Sequence, residues 1–241
     1  MRYHKLGNIP QKRHTIFKSP EDKFYYEQLF GTEGFHGISS LLYHVHRPTQ
    51  IKSIGEAKDV TPKIAVDKNV TPRMFKGMNV TPENDFLDSR KFLLVNNDLK
   101  MGLAKPRKSM DYFYKNAECD ELLFIHEGSG ILKTFVGNLE FSVGDYLIIP
   151  RGTIYQVELH SENTVFFVVE SHSPIYTPKR YRNEFGQLLE HSPFCERDII
   201  APTFVEPKDE KGEFLIKVKK ENQITDFIYA THPFDVVGWD G

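Results

Sequence analysis

The sequence predicts an all-β fold, a jelly-roll β-sandwich with an irregular N-terminal arm and an extended C-terminal segment. Two observations carry this. From Lys91 to Glu170 the chain is a succession of short apolar runs punctuated by Gly, Pro, Asn and Asp, the pattern of many short strands joined by turns. The 19 Phe and 11 Tyr also favour strands and a filled β interior.

In chain order, residues 1–40 read as an irregular arm, because Gly34, Gly37 and the polar run before them give no helical period. Ser40–His46 is a strand closed by Pro48. Val-Thr-Pro then recurs at 60–62, 70–72 and 80–82, too few and too short for a solenoid. Each Pro removes a ladder donor and pushes the Thr before it toward extended geometry, so these segments read as extended crossings or edge strands laid over a sheet. The predicted core strands are Lys91–Asn96, Met110–Tyr114, Glu121–His126, Ile131–Val136, Leu139–Phe141, Tyr146–Ile149, Tyr155–Leu159 and Thr164–Glu170. Gly137-Asn138 predicts a two-residue hairpin turn. After Ser171 the sequence loosens, and Phe214–Val218 with Gln223–Tyr229 form a final strand pair. The division expected is an arm with extended strands over 1–90, a barrel core over 91–170 and a trailing segment over 171–241. The last residues, Asp235-Val-Val-Gly-Trp-Asp-Gly241, are apolar and expected to pack on polypeptide beyond them.

Composition excludes several classes. A formal net charge of −2 argues against general nucleic-acid binding. No apolar run reaches the roughly 18 residues of a membrane span. The N-terminus has charge and Pro but no apolar core of a secretory signal, so a cytoplasmic location is expected, with Cys119 and Cys195 as free thiols.

The stretch from Tyr114 to Gln156 has the spacing of a cupin barrel. Glu121 is followed by Gly128, and Gly144 by Pro150, Gly152 and Tyr155, matching the scaffold positions of that motif. A metal cupin places two His at i and i+2 of one strand, so both face the interior, and completes the site with a Glu and a third His from neighbouring strands. Here the first two positions are Tyr114 and Asn116, and the third is Tyr155. Phenols with pKa near about 10 and an amide are poor ligands, and Glu121 alone cannot hold a transition metal. No metal is expected at Tyr114, Asn116, Glu121 and Tyr155; these side chains are expected to fill the interior.

Other motifs are read in structural terms. His44-x-His46 would share a strand face, but the next carboxylate is Glu56, past Pro48, so packed or hydrogen-bonded histidines are expected. His126 is a turn-adjacent surface or interface residue. His172, His191 and His232 show no ligand spacing, and nothing near Cys195 marks a nucleophile. Lys217-Val-Lys-Lys220 and Lys179-Arg-Tyr-Arg182 read as solvated faces or subunit contacts.

Four segments together are similar to one family. Phe24-Tyr-Tyr-Glu-Gln-Leu-Phe-Gly31, Ser40-Leu-Leu-Tyr43, Phe124 to Gln156 with Gly144-Asp145 and Pro150-Arg151-Gly152, and Pro233-Phe-Asp-Val-Val-Gly-Trp-Asp-Gly241 resemble, in order and spacing, the N-terminal region of homogentisate 1,2-dioxygenases. The resemblance implies a degenerate N-terminal cupin within an enzyme that uses Fe(II) and O2 to open homogentisate to maleylacetoacetate, in tyrosine and phenylalanine breakdown. It implies that the iron ligands lie in a second cupin downstream of Gly241, so that no residue here is an iron ligand and this piece alone is inactive. It also implies trimer-based homo-oligomers. Many members carry a His between the Trp and the Gly, in an acid/base role; here that position is Asp240. The alternatives are a metal-free cupin that binds a small molecule through Tyr114, Asn116, Glu121 and Tyr155, for which an open barrel mouth is expected, and a sugar isomerase or epimerase cupin, which would need a His base that no matching position supplies.

Overall fold

The computed structural model describes residues 5–8, 17–66, 71–184, 187–192 and 198–240. Four strands come first: β1 (Lys5–Gly7), β2 (Tyr26–Glu33), β3 (His36–His44) and β4 (Ile51–Asp59). The dense central stretch holds β5 (Arg90–Val95), β6 (Leu99–Ala104), β7 (Phe113–Asn116), β8 (Asp120–Glu127), β9 (Gly130–Thr134), β10 (Gly137–Phe141), β11 (Tyr146–Ile149), β12 (Ile154–Leu159) and β13 (Val165–Ser171). Three more follow: β14 (Lys211–Lys220), β15 (Gln223–Thr231) and β16 (Val236–Asp240). The helical content among the described residues is two short 3-10 turns, and no helix there is long and apolar enough to cross a membrane.

Strands β6 to β13 divide into β11-β8-β13-β6 and β10-β9-β12-β7, with the chain crossing repeatedly from one sheet to the other. This is the double-sheet jelly roll the sequence predicts. Both sheets are extended at the same end, one by β5 and the other by β14, β15 and β4, giving five and seven strands. Strand β14 runs parallel to β7, with Lys217 opposite Tyr114 and Lys219 opposite Asn116. A third sheet, β1-β16-β3-β2, lies on the outer face of the seven-stranded one.

Period-two alternation builds the layers. In β8, Leu123 and Ile125 are fully buried while Phe124 between them faces outward. Tyr114 joins the core between the two jelly-roll sheets, with Tyr155, Phe86, Phe166, Leu132 and Val157. Its neighbour Phe113 points the other way, into a second core with Ile216, Tyr229 and Phe234. Leu42, Phe135, Val236 and Trp239 continue that outer core, so the terminal apolar segment packs within the described chain.

Several expectations need correction. The first forty residues are not wholly irregular, since β1, β2 and the start of β3 lie there, and β2 and β3 pair through Glu33 and His36. Half of strand β2 is exposed and none of it is fully buried, so its apolar signal is faint. Strand β4 was not expected either: all nine residues are exposed, and hydrogen bonds to β15 rather than burial order it. Its charges suit an edge strand. Strand β6 is hidden in the sequence by Gly102, which is needed because a Cβ there would sit 2.0 Å from the Lys91 carbonyl, where β5 changes register. The hairpin after β9 turns at Phe135-Val136, with Gly137 and Asn138 already in β10, because Gly137 pairs with Thr134. The tight I′-like turn is instead Glu221-Asn222, both at positive φ, between β14 and β15. Of the Val-Thr-Pro copies, those at 60–62 and 80–82 carry no strand pairing, and Val70 lies outside the described residues.

The Gly102 contact yields a first prediction. Gly102→Ala is expected to lower the unfolding free energy by about 2–3 kcal/mol, read from the urea midpoint at unchanged m, because rigid backbone opposes the added methyl. Gly34→Asn, at φ 65° with open space around the Cβ, is expected to cost less than about 1 kcal/mol.

Candidate functional site

The four vacated metal-site positions do come together, and a guanidinium stands among them. Arg90, the first residue of β5, places Nη1 2.5 Å from Glu121 Oε1 and 2.9 Å from Glu170 Oε1. Its Nη2 donates to Tyr155 Oη at 2.9 Å, and Tyr155 Oη donates to Glu121 Oε2 at 2.7 Å. The Tyr114 ring lies 5.3 Å from the guanidinium carbon, and Asn116 Nδ2 donates to Glu121 at 3.3 Å. Glu121, Tyr114 and Tyr155 are completely buried.

Arg90 is aimed by the turn that precedes it. Buried Asp85 accepts from the backbone N–H groups of Leu87 and Asp88 and from Tyr112 Oη, pinning the turn to the approach of β7. Phe86 then tucks beneath the guanidinium, ring centroid 4.3 Å from Cζ. Burial opposes the Arg90 charge, but Glu121 and its other neighbours more than offset this and hold its pKa well above the ordinary value. Burial and the Glu121 charge push both Tyr114 and Tyr155 well up, so both stay neutral phenols.

A second layer of charge continues toward the sheet extensions. Glu170 of β13 also pairs with buried Lys219 of β14. Lys219 and Lys100 each lie 3.2 Å from Glu118 Oε1, and Lys100 donates to Asn222 Oδ1 at 2.5 Å. Burial works against the Glu118 charge, yet Lys219, the Asn222 amide and Lys100 hold its carboxyl down to about 2. Burial weighs against the Lys219 ammonium as well, and Glu170 beside it raises its pKa.

This donor set does not suit a ferrous ion. A facial triad needs neutral imidazole and carboxylate around open positions. Here both carboxylates spend oxygens on Arg90, and the remaining groups are neutral phenols and an amide. Glu118, Cys119 and Glu170 do bring ligand atoms within 4.8 Å of one another. Lys100 and Lys219 already neutralise those carboxylates, and burial pushes the Cys119 thiol up to about 12. Nearby, His172 Nδ1 lies 3.4 Å from its sulfur. The cluster is a closed ion-pair network rather than a vacant ligand cage.

The remaining residues singled out in the sequence lie elsewhere. His44 is buried and hydrogen-bonded, Nδ1 2.8 Å from Asp235 Oδ1 and Nε2 2.9 Å from Gln28, as expected of a packed histidine. His46 donates its backbone N–H to Asp235. His126 is exposed beside Phe124, His191 is exposed, and His232 sits among Phe113, Phe214 and Phe234, where burial lowers its pKa. Asp240 belongs to β16 in the third sheet, its backbone opposite Leu41 and Lys5, and is not brought to the barrel centre. Cys195 lies outside the described residues. The Lys217–Lys220 run is not a solvated face, since Lys219 is only 4% exposed and Lys217 Nζ lies 3.9 Å over the Tyr112 ring.

Arg90, Glu170, Lys219 and Lys100 were not found by sequence reading. Glu170 offered a signal, a carboxylate ending the apolar run Val165–Val169. Arg90 offered none, since it lies outside the motif that it completes.

A family profile described as homogentisate 1,2-dioxygenase N-terminal matches residues 7–241. A curated protein of Saccharolobus solfataricus named "putative dioxygenase" is 38% identical over 240 residues, covering 99% of this chain. The chain spans 62% of that relative's length. Among solved structures, a cupin-2 domain protein of Shewanella frigidimarina matches at 20% identity and TM-score 0.31, over 34% of this chain and 79% of its own. A Streptococcus pyogenes protein described as of unknown function matches at 14% identity and TM-score 0.36, over 48% of this chain and all of its own.

Two outcomes are expected from the charge network. Arg90→Met should destabilise the fold by about 3–5 kcal/mol in urea titration, because it leaves Glu121 without a cation and takes one partner from Glu170; Arg90→Lys, which keeps the charge but loses the fork, should cost less. The Glu118 carboxyl has a depressed folded-state pKa, so its contribution is present above its ordinary value of 4.5 and is lost as pH falls toward about 2. Glu118→Gln should flatten the acid limb of stability against pH in that window, measured by urea midpoints at stepped pH.

Proposed function

This chain belongs to the homogentisate 1,2-dioxygenase N-terminal family, and from that premise we propose that it forms the metal-free structural part of a ring-cleaving dioxygenase. In this reading the whole protein opens homogentisate to maleylacetoacetate with O2 in tyrosine and phenylalanine breakdown, in the cytoplasm. Its Fe(II) is held by polypeptide that follows this region. The present residues support that catalytic part and contribute to a trimer-based homo-oligomer.

The observation that carries the reading is the Arg90 guanidinium fixed against Glu121, Glu170 and Tyr155. A ferrous centre for a ring-cleaving reaction needs several open positions for substrate and oxygen. A buried cation whose Nη1 is committed to two carboxylates and whose Nη2 is committed to Tyr155 presents none. The three-layered architecture also fits a supporting role. Large apolar side chains stay exposed on the outer elements, including Phe24 and Leu29 on the third-sheet side and Ile51 and Ile54 on edge strand β4, and in this reading other polypeptide covers them.

The test is an aerobic assay of the purified chain with Fe(II), ascorbate and homogentisate, alongside the longer Saccharolobus relative. No maleylacetoacetate is expected from the chain alone, and formation is expected from the relative. Ring cleavage by the chain alone at a rate comparable to the relative's would overturn the proposal.

A further inference from the structure

The outer face of β7 carries an ammonium without a counter-charge. Lys115 lies between Tyr114 and Asn116, which point into the barrel, so the strand period sends it the other way, with Phe113. Its strand neighbours, Ile154 of β12 and Val218 of β14, pack into the apolar core on that side. Lys115 is partly buried there, and among the described residues no carboxylate lies within 4.0 Å of its Nζ. Burial lowers its pKa, and no neighbouring charge offsets this. Charges taken from water are ordinarily paired; this one faces a pocket instead.

The pocket, of about 50 Å³, lies between the seven-stranded sheet and the third sheet. A second cation, Arg47, joins its wall from the loop after β3. Arg47 is exposed, and among the described residues its guanidinium has only the Tyr26 ring, centred 5.8 Å from Cζ, as a partner. One carboxylate, Asp235, lines the pocket, and its oxygens are engaged. Oδ1 faces His44 Nδ1 at 2.8 Å, and Oδ2 accepts the His46 backbone N–H at 2.9 Å. His44 spends its other nitrogen on Gln28. Two cations thus stand against one carboxylate that already has its donors. Thr49, two residues on from Arg47 and in the same wall, holds φ 60°. A β-branched residue rarely adopts that conformation, and it persists where surrounding structure fixes the loop. The size selects the occupant. About 50 Å³ gives room for a few water-sized groups, the scale of a four-oxygen anion and too little for an organic body.

We propose that this pocket is a site for a free tetrahedral oxyanion of the phosphate or sulfate class, with Lys115 as its inner cation and Arg47 at its rim. It lies on the opposite face of β7 from the Arg90 network and is independent of the dioxygenase reading.

Isothermal titration of the full chain with inorganic phosphate and with sulfate, at fixed ionic strength in chloride, tests it. Phosphate and sulfate should bind saturably, and glycerol 3-phosphate at least about tenfold more weakly than phosphate. Lys115→Met should weaken phosphate by about tenfold or more and Arg47→Gln by several-fold, whereas Lys63→Gln, at an exposed position outside the pocket, should leave it unchanged. Lys115→Met leaves no carboxylate without its partner, so its thermal midpoint in the absence of oxyanion should equal or exceed the parent's. Phosphate should raise the parent's midpoint and not that variant's. The proposal is overturned if neither anion gives saturable heat, if glycerol 3-phosphate binds as tightly as phosphate, or if Lys115→Met keeps the parent's affinity.

Discussion

One buried guanidinium organises the centre of this molecule. Arg90 draws on β5 for its backbone, β8 and β13 for its carboxylates, β12 for a phenol and β7 for an aromatic face. It therefore ties the five-stranded sheet to the seven-stranded sheet at the point where a jelly roll would otherwise hold a cavity. Taking these ions out of water is costly, and their attraction offsets that cost only if every lone pair and proton finds a partner. Glu121 meets the demand closely: one oxygen faces Arg90 and the Asn116 amide, the other accepts from Tyr155. The charge layer of Glu170, Glu118, Lys219 and Lys100 extends the same logic outward, which is why the extension strands β14 and β15 are held to the barrel by more than backbone pairing.

The outer layer follows a different rule. The third sheet is joined to the barrel through an apolar core, in which Phe113 and Ile216 leave the same strands that send Tyr114 and Lys217 inward. A polar knot ties its strands together. His44 on β3 lies between Asp235, just ahead of β16, and Gln28 on β2, while Asp235 also accepts the His46 backbone N–H. This sets the terminal apolar segment against β3, so that Val236 and Trp239 meet Leu42 and Phe135.

Much of this was legible in the sequence, and what was missed has a physical pattern. The jelly roll was readable because inward-facing apolar residues alternate and because Gly and Pro mark the turns. The convergence of Tyr114, Asn116, Glu121 and Tyr155 was readable because strand parity is fixed once the turns are placed. Strand β4 escaped because no burial patterns it, and β6 because the close approach of β5 demands Gly102, a residue that counts against a strand. Arg90 and Lys219 escaped for a deeper reason. A charged side chain reads as solvated until its partner is known, and the partners lie thirty-one and forty-nine residues away. Pairings of that kind are set by sheet order, which a local pattern does not contain.

Why an arginine, rather than apolar packing, fills this place follows from what Glu121 requires. A carboxylate at that position in a metal cupin is satisfied by the ion; without one it is a buried, unpaired charge. Replacing the whole set with apolar side chains would remove the difficulty at little cost, whereas replacing one member would not. The network is therefore coupled, and its coupling is geometric. Sliding β5 by two residues along β6 would keep the inward parity of Arg90 but carry it about 6.6 Å along the strand. Glu121 would then lose its cation and Glu170 would keep only its lysine partners, while the apolar contacts of Phe92 and Leu87 would change far less sharply. Hydrophobic contact tolerates such a slip because it is non-directional; a forked donor between two carboxylates and a phenol does not. In a sandwich whose added strand β5 is only partly buried, the polar centre is what distinguishes one register from the next.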